Sequence, residues 1–235
     1  SVDYRGRVFS LDTVSNKLAQ LAPTLATGHI PYALCWYLGR LWVGTSQSLI
    51  TGAGRVYWIR PNIDTDFTLD HTMTAGNGDV QALATFQGKL YATTRANTGT
   101  AAIVKERTTA AVWSAVETSP VTTLGNTYLA MVVWNNVLYV SYAEPDSGGG
   151  DQASKIRKYD GTTWSDAVSH SGASITALRN AIAVWYIYGT RLLGVVKVSR
   201  DTEWIGHSVR TTDDGSTWAS GSTQAAAPVI ARVVT

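Results

Sequence analysis

The sequence predicts an all-β fold, a β-propeller of about five four-stranded blades. The first observation is a six-residue phrase: aromatic, any residue, turn residue, usually a base, an aliphatic, and usually a second aromatic. It occurs five times, and the later copies recur at intervals of 49, 48 and 54 residues, which indicates a repeat architecture. The second is the near absence of helix signals, since β-branched and aromatic residues alternate with turn residues throughout. The phrase begins at Tyr4, Tyr37, Phe86, Trp134 and Tyr188.

Each of the last four copies predicts the same succession of strands. An apolar strand leads into the turn of the phrase, where Gly or Asn supplies the positive φ of a tight hairpin. The second strand carries the closing aromatic, a variable loop leads to a third strand, and a fourth begins at an aromatic after a polar turn. The predicted first strands are residues 33–37, 82–86, 130–134 and 181–188; the second 41–44, 90–93, 138–141 and 192–196; the third 55–59, 102–105, 155–159 and 208–211; the fourth begin at Phe67, Trp113, Trp164 and Trp218.

The two ends of the chain predict how the ring closes. The first copy is short, with two strands at residues 7–12 and 17–22, and residues 228–234 form an additional strand after the last complete unit. Unpaired edges invite aggregation, so we expect 228–234 to pair with one of the two N-terminal strands. The glycine tract within residues 146–151 falls inside a unit, so residues 1–235 are predicted to be a single domain.

Composition excludes several classes of function. Nineteen basic residues against seventeen acidic ones give a net charge of +2, and the bases are scattered, which argues against nucleic acid as a partner. No apolar run is long enough for a membrane span. The single Cys35 cannot form an internal disulfide. The neutral surface, rich in Thr and Ser, suits extracellular exposure.

One stretch resembles the Asp-box, S/T-x-D-x-G-x-T-W, found on the outer hairpins of many propellers. The resemblance implies that the acid caps backbone N–H groups of the turn, that the glycine takes a positive φ, and that the tryptophan packs beneath the neighbouring strand. A shortened version at residues 159–164 has its acid directly before the glycine. Such boxes usually lie away from any active site. The matching residues are Thr211, Asp213, Gly215, Thr217 and Trp218.

Two further resemblances concern whole repeats. Five units of about 47 residues are similar in size to the five-bladed tachylectin-type lectins, although the sugar-binding motifs of those lectins are not visible. The phrases GKLYATT (residues 88–94) and RKYDGTTWS (residues 157–165) resemble propeller-like repeats of bacteriophage tail and virion proteins and of bacterial surface proteins. These resemblances imply a virion or cell-surface module that docks onto a protein or glycan.

Catalytic and metal sites are not expected. A sialidase, the Asp-box enzyme, needs clustered arginines with a tyrosine and acidic partners, whereas the arginines here recur in hairpin turns or on outer strands. The histidines lack the partners that would aim two imidazoles at one ion. The acidic run of Asp64, Asp66 and Asp70 either holds Ca²⁺ or forms a solvated turn, and we favour the turn. The same choice applies to Asp146 and Asp151. No cofactor is expected.

The surplus of aromatic residues supplies the candidate binding residues. Most of the nine Trp and eleven Tyr are expected in the core, because the phrase aromatics recur at equivalent positions, as packing between repeats requires. Residues that break the pattern are better candidates for stacking against a sugar. These are Trp36, Trp58, Trp185, Tyr186 and Trp204.

The sequence therefore predicts a non-enzymatic recognition or structural module, such as a phage tail, capsid accessory or cell-surface component. Its partner would be a protein in a larger assembly or a surface glycan, and its location extracellular or on a virion surface. The alternative is a soluble multivalent lectin with one shallow sugar site per blade, in which equivalent sites give avidity. An Asp-box glycosidase is the third possibility.

Overall fold

The computed structural model describes residues 6–12, 17–21, 25–26, 28–47, 53–74, 77–96, 101–118, 127–144, 153–170, 181–200, 203–215, 217, 219–220 and 224–225. Within these ranges the chain forms β-strands and no helix. The strands are β1 (Phe9–Asp12), β2 (Lys17–Gln20), β3 (His29–Tyr37), β4 (Arg40–Gln47), β5 (Arg55–Ile59), β6 (Thr68–Thr72), β7 (Asn77–Phe86), β8 (Lys89–Ala96), β9 (Ile103–Thr109), β10 (Val112–Thr118), β11 (Thr127–Trp134), β12 (Val137–Glu144), β13 (Ala153–Tyr159), β14 (Trp164–His170), β15 (Ala181–Tyr188), β16 (Arg191–Arg200), β17 (Glu203–Thr212), β18 (Ala219–Ser220) and β19 (Gln224–Ala225).

The strands form four antiparallel blades in chain order, which confirms the predicted β-propeller. Blade A is β3–β6, blade B is β7–β10, blade C is β11–β14, and blade D is β15–β18 with β19 paired to β17. The first strands pack against one another from blade to blade, β3 on β7, β7 on β11 and β11 on β15. They are therefore the inner strands, which surround the central channel of a propeller.

The turns of the repeated phrase have the backbone that the sequence predicts. Two successive residues take a positive φ in the first three blades, as in the hairpin turns whose twist matches that of the flanking strands. In blade D, Gly189 has φ 59°. The pairs are Leu38 (φ 50°) with Gly39 (φ 69°), Gln87 (φ 47°) with Gly88 (φ 73°), and Asn135 (φ 48°) with Asn136 (φ 56°).

The core lies between the blades, where the aromatics of the phrase pack. In blades A, B and C the leading and closing rings of the phrase contact each other, with centroids 6.1 Å apart for Phe86 and Tyr91. In blade D the leading Tyr188 is exposed instead. The rings of Phe86 and Tyr91 also contact Tyr159 of blade C, at 6.1 Å and 6.2 Å. Trp134 and Tyr139 share a cluster with residues of blade D. These aromatics are therefore the expected packing between repeats.

The N-terminal copy of the phrase packs differently. Strands β1 and β2 form a separate hairpin, and Val8 packs against Val43 and Tyr57 of blade A. Its closing aromatic, Phe9, is 49% exposed, whereas the equivalent Trp42 is 1% exposed. Residues 228–234 lie outside the described residues, so ring closure by the two chain ends, the count of five blades and the single-domain assignment stay predictions.

Candidate functional site

The candidate site is the end of the ring at which the inner strands begin, here called the channel mouth. It comprises the first residues of β3, β7, β11 and β15 and the last residues of β4, β8, β12 and β16. The variable loops between second and third strands leave from this end, while the short hairpin turns lie at the opposite end. Ligand sites in β folds favour such mouths, and loops carried on a rigid scaffold usually supply binding residues.

Asp79 is the buried carboxylate of the channel mouth. It stands near the start of β7 and pairs with Ser46 of the neighbouring blade A, which joins the two blades into one sheet. The Ser46 hydroxyl donates to Asp79 Oδ1 at 2.6 Å. The Arg95 guanidinium of β8 lies 3.5 Å from Asp79 Oδ2. The carboxylate therefore has a hydroxyl donor on one oxygen and a cation near the other.

His29 opens β3 at the same mouth but is structural. Its Nδ1 lies 3.1 Å from the Thr45 hydroxyl, and Thr45 Oγ1 also accepts from the backbone N–H of Arg55 at 3.0 Å. Burial, with a smaller contribution from the Arg55 charge, lowers the pKa of His29 to about 4. The imidazole is therefore neutral at ordinary pH and does not serve as a proton donor there.

Two glutamates occupy strand positions at the mouth, and a third lies near the end of the outer strand β10. Glu144 ends β12 and pairs with Ala153, while Glu203 begins β17. Glu117 lies between blades B and C, where its carboxylate is 2.9 Å from Arg157 of β13. Burial raises the pKa of Glu117 although Arg157 opposes the shift. The perturbed acid therefore lies between two blades, and its hydrogen bond with the Tyr128 hydroxyl places it next to the start of β11.

The aromatic residues proposed as ligand contacts occupy separate parts of the fold. Trp36 is 58% exposed and lies near the end of β3 that is farthest from the mouth. Trp58 is half-buried on β5 of the same blade, with the Arg40 guanidinium 3.9 Å from its ring centre. Trp185 donates to the Ala130 carbonyl at 3.4 Å, between blades C and D. Tyr186 lies in β15 and Trp204 in β17, and their side chains are outside the described residues. A binding role for these five residues stays a prediction.

The turn after β17 uses a different acid from the one that the Asp-box resemblance implies. Asp214 Oδ1 accepts from the Thr217 backbone N–H at 2.7 Å, whereas Asp213 pairs with the exposed Arg191 at 2.8 Å. The hydroxyl that accepts from the Gly215 N–H, at 2.8 Å, belongs to Thr212. The capping acid is thus displaced by one residue from Asp213, and the hydroxyl that accepts beside it belongs to Thr212 rather than to Thr211.

The same arrangement occurs in the corresponding turn of blade C. Asp160 Oδ1 accepts from the backbone N–H groups of Thr162 and Thr163, both at 2.8 Å. In both turns the capping acid directly precedes a glycine with positive φ, Gly161 at 107° and Gly215 at 73°. The shortened version is therefore the pattern that this chain uses. Trp218 lies outside the described residues.

The acidic run that extends from the loop after β5 into β6 does not converge on one point. Asp64 pairs with Arg60 at 2.7 Å, and Asp70 pairs with Arg107 of blade B at 2.9 Å. Across the described ranges, no three His, Cys, Asp or Glu side chains are grouped to hold a metal ion. The positions 146 and 151 are outside those ranges. None of the described residues belongs to a helix long and apolar enough to cross a membrane.

Sequence reasoning overlooked Asp79, Ser46 and Arg95. A signal was available in the repeat alignment: Asp79 stands three residues before the alanine of its inner strand, where the copies in blades A and C have Ile30 and Thr127. A charge at the start of an otherwise apolar inner strand is expensive unless it has partners. The partners come from another strand and another blade, so no local motif displays them.

Comparison with known proteins supports the fold and changes the functional expectation. The chain matches no protein-family profile and no curated protein sequence. Among solved structures, it is similar to an α-L-arabinanase of Penicillium chrysogenum complexed with arabinobiose, with 10% identity and a TM-score of 0.60 over 94% of this chain and 71% of the other. A GH93 α-L-arabinofuranosidase of Fusarium graminearum with arabinobiose is 10% identical, with a TM-score of 0.59 over 94% of this chain and 73% of the other. A thermostable family-43 glycoside hydrolase is 10% identical, with a TM-score of 0.55 over 83% of this chain and 72% of the other.

The prediction of a non-enzymatic module is contradicted by this comparison. The similar structures are glycoside hydrolases, so the expectations of a structural virion component, of a lectin and of no enzymatic activity are corrected. The error has a physical cause: a propeller assembles its site from single residues at the ends of separate blades, and such residues form no motif in sequence. At 10% identity the likeness establishes the shared β-propeller fold.

Proposed function

We propose that this protein is a glycoside hydrolase whose active site lies at the channel mouth. The observation that carries the proposal is the Asp79 carboxylate, placed at the mouth between the Ser46 hydroxyl and the Arg95 guanidinium. The same fold serves glycoside hydrolases of several kinds. Because fold alone does not determine activity, the proposal depends on whether this carboxylate can perform the chemistry.

Glycoside hydrolysis needs two carboxyl groups on opposite sides of the scissile bond. One protonates the leaving oxygen, and the other either activates a water molecule or attacks the anomeric carbon. Asp79 already accepts a hydrogen bond from Ser46 and pairs with Arg95, so it suits the role of base or nucleophile. Glu144 ends β12 at the same mouth, and this strand position makes it the first candidate to test as general acid. Arg95 and Ser46 would orient Asp79 toward the bond.

Arabinose-containing oligosaccharides are the first substrates to test. Both the arabinanase and the arabinofuranosidase among the similar structures are complexed with arabinobiose. Residues of the mouth loops, which differ in length and sequence from blade to blade, would determine which sugars fit. The expected location outside the cell and the expected glycan partner are both compatible with this activity, and both stay predictions, as does a partner protein.

The test measures hydrolysis of arabinobiose and of p-nitrophenyl α-L-arabinofuranoside. Asp79→Asn should lower kcat on both substrates by at least about 10²-fold, because the base or nucleophile is lost. Glu144→Gln should lose activity on the disaccharide but largely keep activity on the aryl glycoside, because nitrophenolate leaves without protonation. Asp213→Asn, at the opposite end of the ring, is the matched control and should keep wild-type rates. Asp79→Asn with wild-type rates, or a native protein inactive on a broad panel of glycosides, would overturn the proposal.

A further inference from the structure

The four inner strands share an irregularity close to the channel mouth. In β3 one extra residue, Tyr32, lies between the paired Pro31 and Ala33. In β7 the extra residue is Gln81, and in β15 it is Ala183. The pairing of β11 with β12 is interrupted at the same level, between Tyr128 and Met131. Bulges of this kind bend a strand and re-aim a side chain, and they are frequent beside active sites.

The side chains at the bulges do not follow the repeat. At packing positions the blades carry similar residues, such as the leading aromatics of the phrase, because each blade makes the same contacts with its neighbours. At the bulge the residue is Tyr32 in blade A, Gln81 in blade B and Ala183 in blade D. The bulge is therefore a feature of the fold that the blades share. Packing between the blades does not require the side chains at the bulge to be alike.

Two of these bulge positions lie on β7, the strand of the proposed catalytic carboxylate, and on β3, the inner strand that packs against it. Gln81 follows Asp79 by two positions on β7, and Tyr32 occupies the same level on β3, which packs against β7. Tyr32 is 48% exposed, so a large part of its ring is available to a ligand. Leu34 and Trp36, also exposed on β3, lie progressively farther from the mouth.

We propose that Tyr32 and Gln81 form a sugar-binding subsite next to Asp79. The Tyr32 ring would stack on the apolar C–H face of one sugar ring, while its hydroxyl stays in water. The Gln81 amide both donates and accepts hydrogen bonds, which matches the alternating hydroxyls of a sugar. Neither residue carries a charge, so the occupant is a neutral sugar unit of an oligosaccharide. The subsite rests on the proposed glycosidase function, since it positions the substrate for Asp79.

The experiment measures binding without turnover, so that the subsite and the catalytic proposal can fail separately. Isothermal titration in the Asp79→Asn background uses arabinobiose, xylobiose, galactobiose and cellobiose as probes. Adding Tyr32→Ala should raise the Kd of the bound disaccharide about tenfold, and adding Gln81→Ala should raise it several-fold. Tyr32→Phe, which keeps the ring, should bind within about twofold of the parent. Tyr188→Ala, an exposed tyrosine at the far end of β15, is the matched control and should not change binding.

The outcomes separate the two proposals. If the native protein cleaves no glycoside but Tyr32→Ala still loses binding selectively, the catalytic proposal fails and the subsite stands. If Tyr32→Ala binds like its parent, or if Tyr188→Ala loses as much affinity, the subsite is wrong while hydrolysis by Asp79 can stand. Failure of all four disaccharides to bind the parent also overturns the subsite. Thermal unfolding of each variant verifies that the fold is retained.

Discussion

Asp70 of blade A and Arg107 of blade B form a buried ion pair that fastens two neighbouring blades. The guanidinium donates to both carboxylate oxygens, with Nη2 2.9 Å from Oδ1 and Nε 3.1 Å from Oδ2. The Trp113 indole donates to Oδ2 at 2.8 Å, and the guanidinium carbon lies 4.8 Å from the centre of the Trp42 ring. Paired charges of this kind, with their remaining lone pairs satisfied, specify which surfaces meet.

Replacement of Asp70 should weaken the interface between blades A and B. Asp70→Asn leaves the Arg107 charge buried without its counter-charge, and we expect a loss of about 2–4 kcal/mol in the free energy of unfolding. The measurement is urea denaturation followed by tryptophan fluorescence. Asp64→Asn, which breaks the exposed pair with Arg60, is the control and should leave the transition midpoint nearly unchanged. Equal effects of the two variants would contradict the fastening role of Asp70.

Stability should fall in mild acid because of His29. The pKa of His29 is lowered to about 4 from its ordinary value near 6.5, so the unfolded chain takes up the proton first. The contribution of neutral His29 to the free energy of unfolding is fully present above pH about 6.5 and is lost as the pH falls toward about 4. The complete loss amounts to about 3 kcal/mol.

A neutral variant isolates this effect. His29→Gln should be less stable than the native protein at pH 7.5, since the contact with Thr45 changes, but should show a shallower decline between pH 6.5 and pH 4.5. Thermal denaturation across this range measures the slope. His71, whose pKa burial and the Lys105 charge also lower, adds to the slope in both proteins and therefore cancels in the comparison. An unchanged slope in the variant would contradict the assignment.

Two glycines with positive φ should differ sharply in their tolerance of a side chain. Gly39 has φ +69° and open space where a Cβ would stand, whereas a Cβ at Gly215 (φ +73°) would overlap the Tyr139 hydroxyl. Gly39→Ala should therefore lower the free energy of unfolding only by the strain of a left-handed backbone, about 1–2 kcal/mol. Gly215→Ala adds a clash with a buried ring and should cost about 1–3 kcal/mol more. Comparable unfolding midpoints for the two variants would show that the Gly215 turn does not pack on blade C.

Replacing Asp213 and Asp214 separately tests which acid caps the turn after β17. Asp214→Ala removes the acceptor of the Thr217 N–H, and losses of this kind cost about 1 kcal/mol in helix caps. Asp213→Ala breaks an ion pair in which both side chains are well exposed and should cost less than about 1 kcal/mol. Chemical denaturation of both variants gives the order of the two effects, and a larger loss for Asp213→Ala would restore the Asp-box assignment.

Local pattern was enough to predict the blades. Each predicted strand in blades A to C falls within or next to an observed one, because alternation of side chains and a turn with positive φ are properties of ten or twenty consecutive residues. The turn at Asp213 and Asp214 shows the limit of such reasoning. Both residues are acids next to the same glycine, and the choice between them depends on where Arg191 lies, a contact between residues that the motif does not include.

The sequence by itself determined a repeat of antiparallel four-stranded units, their hairpin turns and the aromatic packing between them, since each copy repeats the same local physics. Only the tertiary structure decided which polar residues meet. Ser46, Asp79 and Arg95 lie in three strands of two blades and come together because the inner strand of blade B starts where the second strands of blades A and B end. The proposed subsite residues Tyr32 and Gln81 stand at the same level of the neighbouring inner strands β3 and β7. Two neighbouring repeats therefore contribute different residues to the channel mouth, and the function proposed for this chain depends on the combination.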